Sequence, residues 1–237
     1  MQIFLNKYIT NSLGFKMKKG LILLLMLLTT ISVAIAVDPA GSSVVEVGQY
    51  GPITSTTAGT TNVSAGYIRE TNLTAIMSTT RWAGIFGNVS GNIQLGDNTS
   101  NIMFAWTAEG NLVYVAENQP DWSALVAATA SELDSGYAYL SSASSEKAAN
   151  TFTGAVEDIG SNLFSINATY AETNSFNASM SWKTYALKDN TSTFIFAGKV
   201  DQAQLNYRNQ TVDFQMIVPE NGLNSTATTY SVWVELI

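Results

Sequence analysis

The sequence predicts a mainly β protein, an antiparallel β-sandwich with a short helical insertion, preceded by a signal-peptide helix. Three observations predict it. Short runs of β-branched and aromatic residues recur between Gly, Asn, Asp and Ser from about residue 40 to the end. The period changes to that of a helix only after Pro120. A continuous apolar run at residues 21–28 follows a basic start near the N-terminus.

Lys18, Lys19 and Gly20 open that run, which continues through Val33 to Ala34, Ile35 and Ala36. A basic start, an apolar middle and small residues at the end are the three parts of a secretory signal. Ala34 and Ala36 then mark the cleavage site, with cutting expected after Ala36 and Met17 as the start. Two other readings stay open. An uncleaved anchor needs about 20 apolar residues, and 21–37 is barely long enough. Lys18-Lys19-Gly20-Leu21 also resembles the cleavage site of archaeal type IV pilins, whose apolar segment stays on the subunit and packs the filament core. The early Asp38-Pro39 and the Ala-x-Ala site weigh against that.

The 237 residues include no Cys and no His. Disulfides, thiolate nucleophiles, imidazole bases and the commonest zinc ligands are therefore absent, and only carboxylate, Lys or Tyr chemistry survives. Beyond residue 36 stand seven basic and 18 acidic residues, a net charge of −11. Phosphate binding needs clustered Lys or Arg, so no nucleic-acid partner is expected, and membrane contact only through the signal segment before cleavage. No cofactor, metal site or catalytic residue is expected.

Along the mature chain, residues 37–50 read as an N-terminal arm or strand with a first strand at 43–47, and 51–237 as the sandwich domain. The longest strand pattern is 81–95, with Ala83, Ile85, Gly87 and Val89 on one face and Trp82, Gly84, Phe86 and Asn88 on the other. Its glycine rhythm predicts bulges or close approach. After the turn residues Gly96, Asp97 and Asn98, a strand at 102–107 is expected to reverse through Glu109-Gly110-Asn111 into 112–115 as a tight hairpin. The helical insertion spans about 120–150: one amphipathic helix through Trp122, Leu125, Val126 and Leu133, N-capped by Asp121, then a loop or short helix at 141–150. Strands resume at 163–170, 178–187, 193–200, 204–207, 212–218 and 228–236. Turns fall at Lys188-Asp189-Asn190 and at 219–222, where Gly222 is expected to supply a positive φ.

Nine asparagines stand in the acceptor tripeptide Asn-x-Ser/Thr: Asn62, Asn72, Asn88, Asn98, Asn167, Asn177, Asn190, Asn209 and Asn224. About half of the mature asparagines are in this context, against about a quarter expected from the Ser and Thr content, so N-glycosylation is expected at some of them. Turn composition alone also gathers these residue types. Trp82, Phe86, Trp106, Tyr114, Trp122, Trp182, Phe194, Phe196, Phe214 and Trp233 are candidates for a sugar-stacking platform, but alternating aromatics on strands are more often core. Asp97-Asn98, Glu157-Asp158 and Asp189-Asn190 offer oxygen ligands without any calcium-loop pattern.

The segments 81–93 (Arg-Trp-Ala-Gly-Ile-Phe-Gly-Asn-Val-Ser-Gly-Asn-Ile) and 212–219 (Val-Asp-Phe-Gln-Met-Ile-Val-Pro), with the 230–236 terminus, resemble a group of secreted β-rich archaeal cell-surface proteins to which no activity is assigned. That resemblance implies an extracellular or cell-surface location. Together these features predict an exported, glycosylated cell-envelope structural or interaction protein, a filament or surface-layer-associated subunit. Its expected partners are itself, other surface proteins or glycans, with the arm adding to the open edge of a neighbouring sheet. The alternatives are a secreted carbohydrate-binding or adhesion module and, behind both, a carboxylate-dependent glycan hydrolase.

Overall fold

The computed structural model describes residues 38–142, 145–176, 180–224 and 226–237. The expected export segment, with Ala34 and Ala36, lies outside these residues, as does Asn177. The described chain is mainly β, with several antiparallel sheets and three short helices. In chain order the strands are β1 (Ala40–Gly41), β2 (Trp82–Gly87), β3 (Gly91–Gly96), β4 (Ile102–Ala108), β5 (Gly110–Ala116), β6 (Val126–Ala127), β7 (Glu157–Asp158), β8 (Asn167–Ala168), β9 (Tyr170–Asn174), β10 (Ser181–Lys188), β11 (Phe194–Lys199), β12 (Gln204–Leu205), β13 (Thr211–Val212), β14 (Phe214–Pro219) and β15 (Ser231–Leu236).

Seven of them form the main sheet in the order β1-β15-β5-β11-β10, with β9 and β6 sharing the far edge of β10. The central strands are buried on both faces, which is why 112–116 (Leu-Val-Tyr-Val-Ala) and 194–197 (Phe-Ile-Phe-Ala) read as continuous apolar runs. On one face Val113, Val115, Ala186 and Phe196 pack with Phe214, Met216 and Val218 of the β2–β14 ribbon and with Leu133, Leu140 and Phe152 of the helical region. On the other, Leu112, Tyr114, Tyr185, Leu187, Ile195 and Trp233 meet Trp122, Ile159 and Ala168. Each of the larger aliphatic and aromatic side chains among them stabilises the fold by roughly 1.5–3 kcal/mol. Main-chain partners far apart in sequence therefore set the topology.

Several local expectations change. The hairpin at Glu109-Gly110-Asn111 does not form: β4 pairs with β3, and β5 with β11 and β15. Glu109 instead exchanges backbone hydrogen bonds with Ile237 (3.1 and 2.9 Å), adding a rung to the β5–β15 ladder. Gly110 serves close approach, since a Cβ there would lie 2.6 Å from Val89 Cγ1. The 81–95 strand is two strands in two sheets, parted at Asn88–Ser90, where Val89 N–H donates to the Asp213 carboxylate at 2.8 Å.

The single helix at 120–133 breaks into a 3-10 turn, Trp122–Ala124, the short strand β6 and a helix, Ala130–Gly136. Asp121 does cap the turn, accepting from Ser123 N–H. The helix starts later because Thr129 and Glu132 form a reciprocal capping box, which satisfies two end donors at once. Two more short helices, Ala138–Ser141 and Ala148–Thr151, complete the insertion. Gly222 is not at positive φ. A Cβ there would come within 3.2 Å of the Thr80 carbonyl, so the backbone needs the space, not the conformation.

Candidate functional site

Ala40 and Gly41 pair with Val234 and Trp233, and Ser42 N–H donates to Val232 O at 3.0 Å, so the root of the arm closes the edge of its own sheet. Beyond it residues 43–79 contain neither strand nor helix, and the strand expected at 43–47 is absent because nothing pairs with it there. Two further contacts hold this stretch. The Tyr50 ring stacks on Phe86 (6.0 Å between centroids) and lies 3.9 Å from the Arg208 guanidinium. Thr56 N–H donates to Ile76 O, and Ile76 N–H to Thr56 Oγ1 (2.9 and 2.8 Å), which closes residues 57–75 into an excursion.

Between these ties the side chains are bare. Val44, Val45, Val47 and Ile53 before the excursion, and Val63, Tyr67, Ile68 and Leu73 within it, are exposed, with Val47 at 98% and Leu73 at 92%. Single exposed apolar residues are ordinary, whereas these eight recur along one stretch of chain.

A second bare surface lies at the other end of β15, where β3 begins against Leu236. The β3–β4 ribbon stands apart from the main sheet. Its register puts Ile93 opposite Trp106 and Leu95 opposite Phe104, so these four side chains share one face. Phe104 and Trp106 touch, 4.7 Å between ring centroids, yet stay 55% and 49% exposed. Asn92, Gln94, Ala105 and Thr107 fall on the opposite, mostly polar face. A two-stranded ribbon is marginal by itself, and this one leaves its apolar face uncovered.

The ribbon ends in a turn built twice in the chain. Asp97-Asn98-Thr99-Ser100 and Asp189-Asn190-Thr191-Ser192 are identical tetrapeptides. In each, one aspartate oxygen accepts from the backbone N–H two and four residues on and from the Thr hydroxyl, and the Ser takes φ 68°. Asn206 repeats the pattern with its amide oxygen, accepting from Arg208 and Gln210 N–H, and Asn209 takes φ 62°. All three turns carry an acceptor tripeptide, at Asn98, Asn190 and Asn209. The repeat is visible in the sequence.

Of the nine acceptor asparagines, the eight described, Asn62, Asn72, Asn88, Asn98, Asn167, Asn190, Asn209 and Asn224, are all exposed. Asn88 sits at the β2–β3 corner and not within a strand. Outside the tripeptide, Asn111, Asn206 and Asn221 are at least partly buried, while Asn92, Asn101, Asn118, Asn150, Asn162 and Asn174 are exposed as well.

No family model, curated protein or solved structure matches the chain.

The stacking candidates do not form a platform. Tyr114, Trp122, Trp182, Phe196, Phe214 and Trp233 are buried, Trp82, Phe86 and Phe194 are half-buried, and Trp106 alone is exposed. The paired oxygen donors are engaged locally. The Asp97 carboxyl is held well below the usual carboxylate range by hydrogen bonds from Asn101 and Thr99. Burial opposes ionisation of Glu157, but Lys183 (2.8 Å) and Tyr185 hold its carboxyl low. Burial likewise opposes ionisation of Asp189, which donors from Asp121, Thr191 and Thr193 reverse.

Sequence reasoning also missed Glu235. It is 1% exposed, and its carboxylate accepts from Asn111 Nδ2, Asn162 N–H, Ser161 Oγ and Tyr114 OH, all at 2.7–2.8 Å. It ties residues 161–162 to the sheet. An open cleft of about 590 Å³ lies by the first helix, lined by Glu117, Ser131, Glu132, Tyr137, Lys188 and Phe194 among others.

Proposed function

We propose that the chain is an exported, glycosylated structural or interaction protein of the cell exterior that works by non-covalent association. Its body is read as a β-sandwich in which the β2–β14 layer faces the main sheet. The observation that carries this reading is the stretch at 43–77, where Val44, Val45, Val47, Ile53, Val63, Tyr67, Ile68 and Leu73 stay exposed and only Tyr50 packs its ring against the body. Exposed apolar surface of this extent is retained where something covers it. The exposure of every described acceptor asparagine supports glycosylation, and the apolar run at 21–28 supports export.

Light scattering on the mature protein tests this, together with electron microscopy and mass spectrometry of native surface material. The expected result is concentration-dependent assembly, sugar mass on some of the nine asparagines and a chain beginning at Val37. A monomer at every concentration, bare of sugar, sinks the reading.

The open cleft favours a second reading, a secreted glycan-binding module, because Tyr137 and Phe194 line it beside Glu117, Lys188 and several hydroxyls. Glycan-array binding lost on Tyr137→Ala, by a monomeric protein, would select it.

A further inference from the structure

The exposed arm needs a receiving surface, and the ribbon is one. Each half lacks what the other supplies. The β3–β4 ribbon has an uncovered apolar face, Ile93, Leu95, Phe104 and Trp106, and among the described residues neither of its outer edges has a backbone partner along the strands. Such an edge accepts an added strand through its free N–H and C=O groups, and an adjacent apolar face supplies the specificity. The excursion at 57–75 is the converse: Thr-rich backbone without ladder partners, carrying bare Val63, Tyr67, Ile68 and Leu73.

Charge selects the occupant. Two copies that each carry −11 beyond residue 36 repel wherever their carboxylates meet, so contact between copies is favoured at segments without net charge. Residues 57–75 carry one Arg and one Glu, and residues 91–108 carry only Asp97, in the turn. These are neutral islands in an acidic surface, and depletion of charge is the compositional mark of an interface centre. Charge also argues against a lipid surface. No Lys or Arg occurs from residue 82 to residue 146, so the ribbon has no cation to offer a phosphate headgroup.

Within one chain the two surfaces do not cover each other, since both sets of side chains stay exposed.

We propose that the apolar face and open edge of the β3–β4 ribbon receive the 57–75 excursion of a second copy of this chain. This rests on the self-association reading above and names its contact. Donor and acceptor are different surfaces, so the contact is head-to-tail: it propagates into a filament, or into a ring where the rotation closes.

The test uses the mature chain and two variants. In the donor-deficient form residues 57–75 are replaced by Gly-Gly, which keeps the Thr56–Ile76 closure, the Tyr50 stack and the β1 pairing. In the acceptor-deficient form Phe104→Ser and Trp106→Ser remove the exposed rings. Far-UV circular dichroism checks folding, and Trp106→Glu alone replaces the double variant if that fails to fold. By light scattering the parent should grow with concentration. Each variant alone should stay monomeric to at least about tenfold higher concentration, as loss of a hot-spot contact implies. An equimolar mixture should stop at a 1:1 dimer, because only one productive contact remains. Parent-like assembly of either variant alone, or a mixture that stays monomeric, overturns the proposal while leaving self-association standing. A parent that never assembles removes the self-association reading as well.

Discussion

Removing the Glu235 carboxylate should be among the costliest single changes in the body, and the size of the loss should depend on what replaces it. The group is buried and accepts four hydrogen bonds, two on each oxygen: Asn111 Nδ2 and Asn162 N–H on Oε1, Tyr114 OH and Ser161 Oγ on Oε2. Glu235→Ala leaves these donors unpaired around a cavity, and each stranded group costs about 1–3 kcal/mol before local relaxation. Allowing for relaxation, the expected loss is about 3–5 kcal/mol, a large part of a typical stability of about 5–15 kcal/mol. Glu235→Gln is different. Its oxygen can keep the two N–H donors while its NH2 faces two hydroxyls, of which Tyr114 OH can rotate to accept, whereas Ser161 Oγ already accepts from Leu163 and Phe164 N–H and loses its bond. That variant should lose only about 1–2 kcal/mol. Urea unfolding at pH 7, followed by circular dichroism, separates the two. With an m-value of about 2 kcal/mol/M, Ala should lower the midpoint by about 1.5–2.5 M at constant m, and Gln by under about 1 M. An Ala variant within about 0.5 M of the parent, or Gln as damaging as Ala, would show that this network does not hold the 161–162 segment to the sheet.

Acid should selectively weaken the helix at Ala130–Gly136. Hydrogen bonds from Lys188 and from Thr129 lower the Glu132 pKa from 4.5 to about 2, so its contribution is full above about pH 4.5 and is lost as pH falls toward 2. Parent and Glu132→Gln stabilities should therefore differ at pH 6 and converge as pH falls toward 2, and a constant difference would refute the contribution of the charged bond to Lys188, since Gln keeps the cap. Gly110→Ala should cost about 1–3 kcal/mol in the same unfolding assay, because the added methyl meets Val89 Cγ1 at 2.6 Å; a neutral outcome would show the strand can bend elsewhere. Tyr50→Ala removes a ring stack and a cation–π contact worth about 0.5–1.5 kcal/mol each. Limited proteolysis within 43–79 should accelerate while the midpoint of the body stays put; unchanged cleavage would mean Tyr50 does not hold the arm.

Much of the β character was legible because it lies in side-chain type and turn composition. β10, β11, β14 and β15 each fall close to runs such as 193–200 and 228–236. What failed was pairing. Glu109-Gly110-Asn111 has the composition of a tight turn, yet β5 finds both partners elsewhere, at β11 and β15, and those long-range ladders outweigh a local preference. The helix boundary was also readable, since Thr129 stands three residues before Glu132, but the apolar rhythm from Trp122 masked it. The candidate surface was half visible. Sequence marks an arm, but it cannot show that the Ile93, Leu95, Phe104 and Trp106 face lacks a covering layer, because exposure depends on where every other element goes.

Sugar and self-association place opposite demands on one surface, since a glycan covers what a contact must reach. The positions are compatible. None of the described acceptor asparagines lies on the apolar ribbon face, and Asn98 sits in the turn beyond the strand ends. On the arm, Asn62 precedes Val63 and Asn72 precedes Leu73. Once the excursion is added as a strand, neighbours point to opposite sides, so the sugars fall away from Val63, Tyr67 and Leu73. This gives a face-specific prediction. Gln94→Thr turns Asn92, on the polar face opposite Thr107, into an acceptor. Expressed where glycosylation occurs, that variant should gain one glycan mass and still assemble, because the added sugar projects away from Ile93, Leu95, Phe104 and Trp106. If it gains the mass and stays monomeric, the polar face makes the contact and the assignment of the apolar one is wrong.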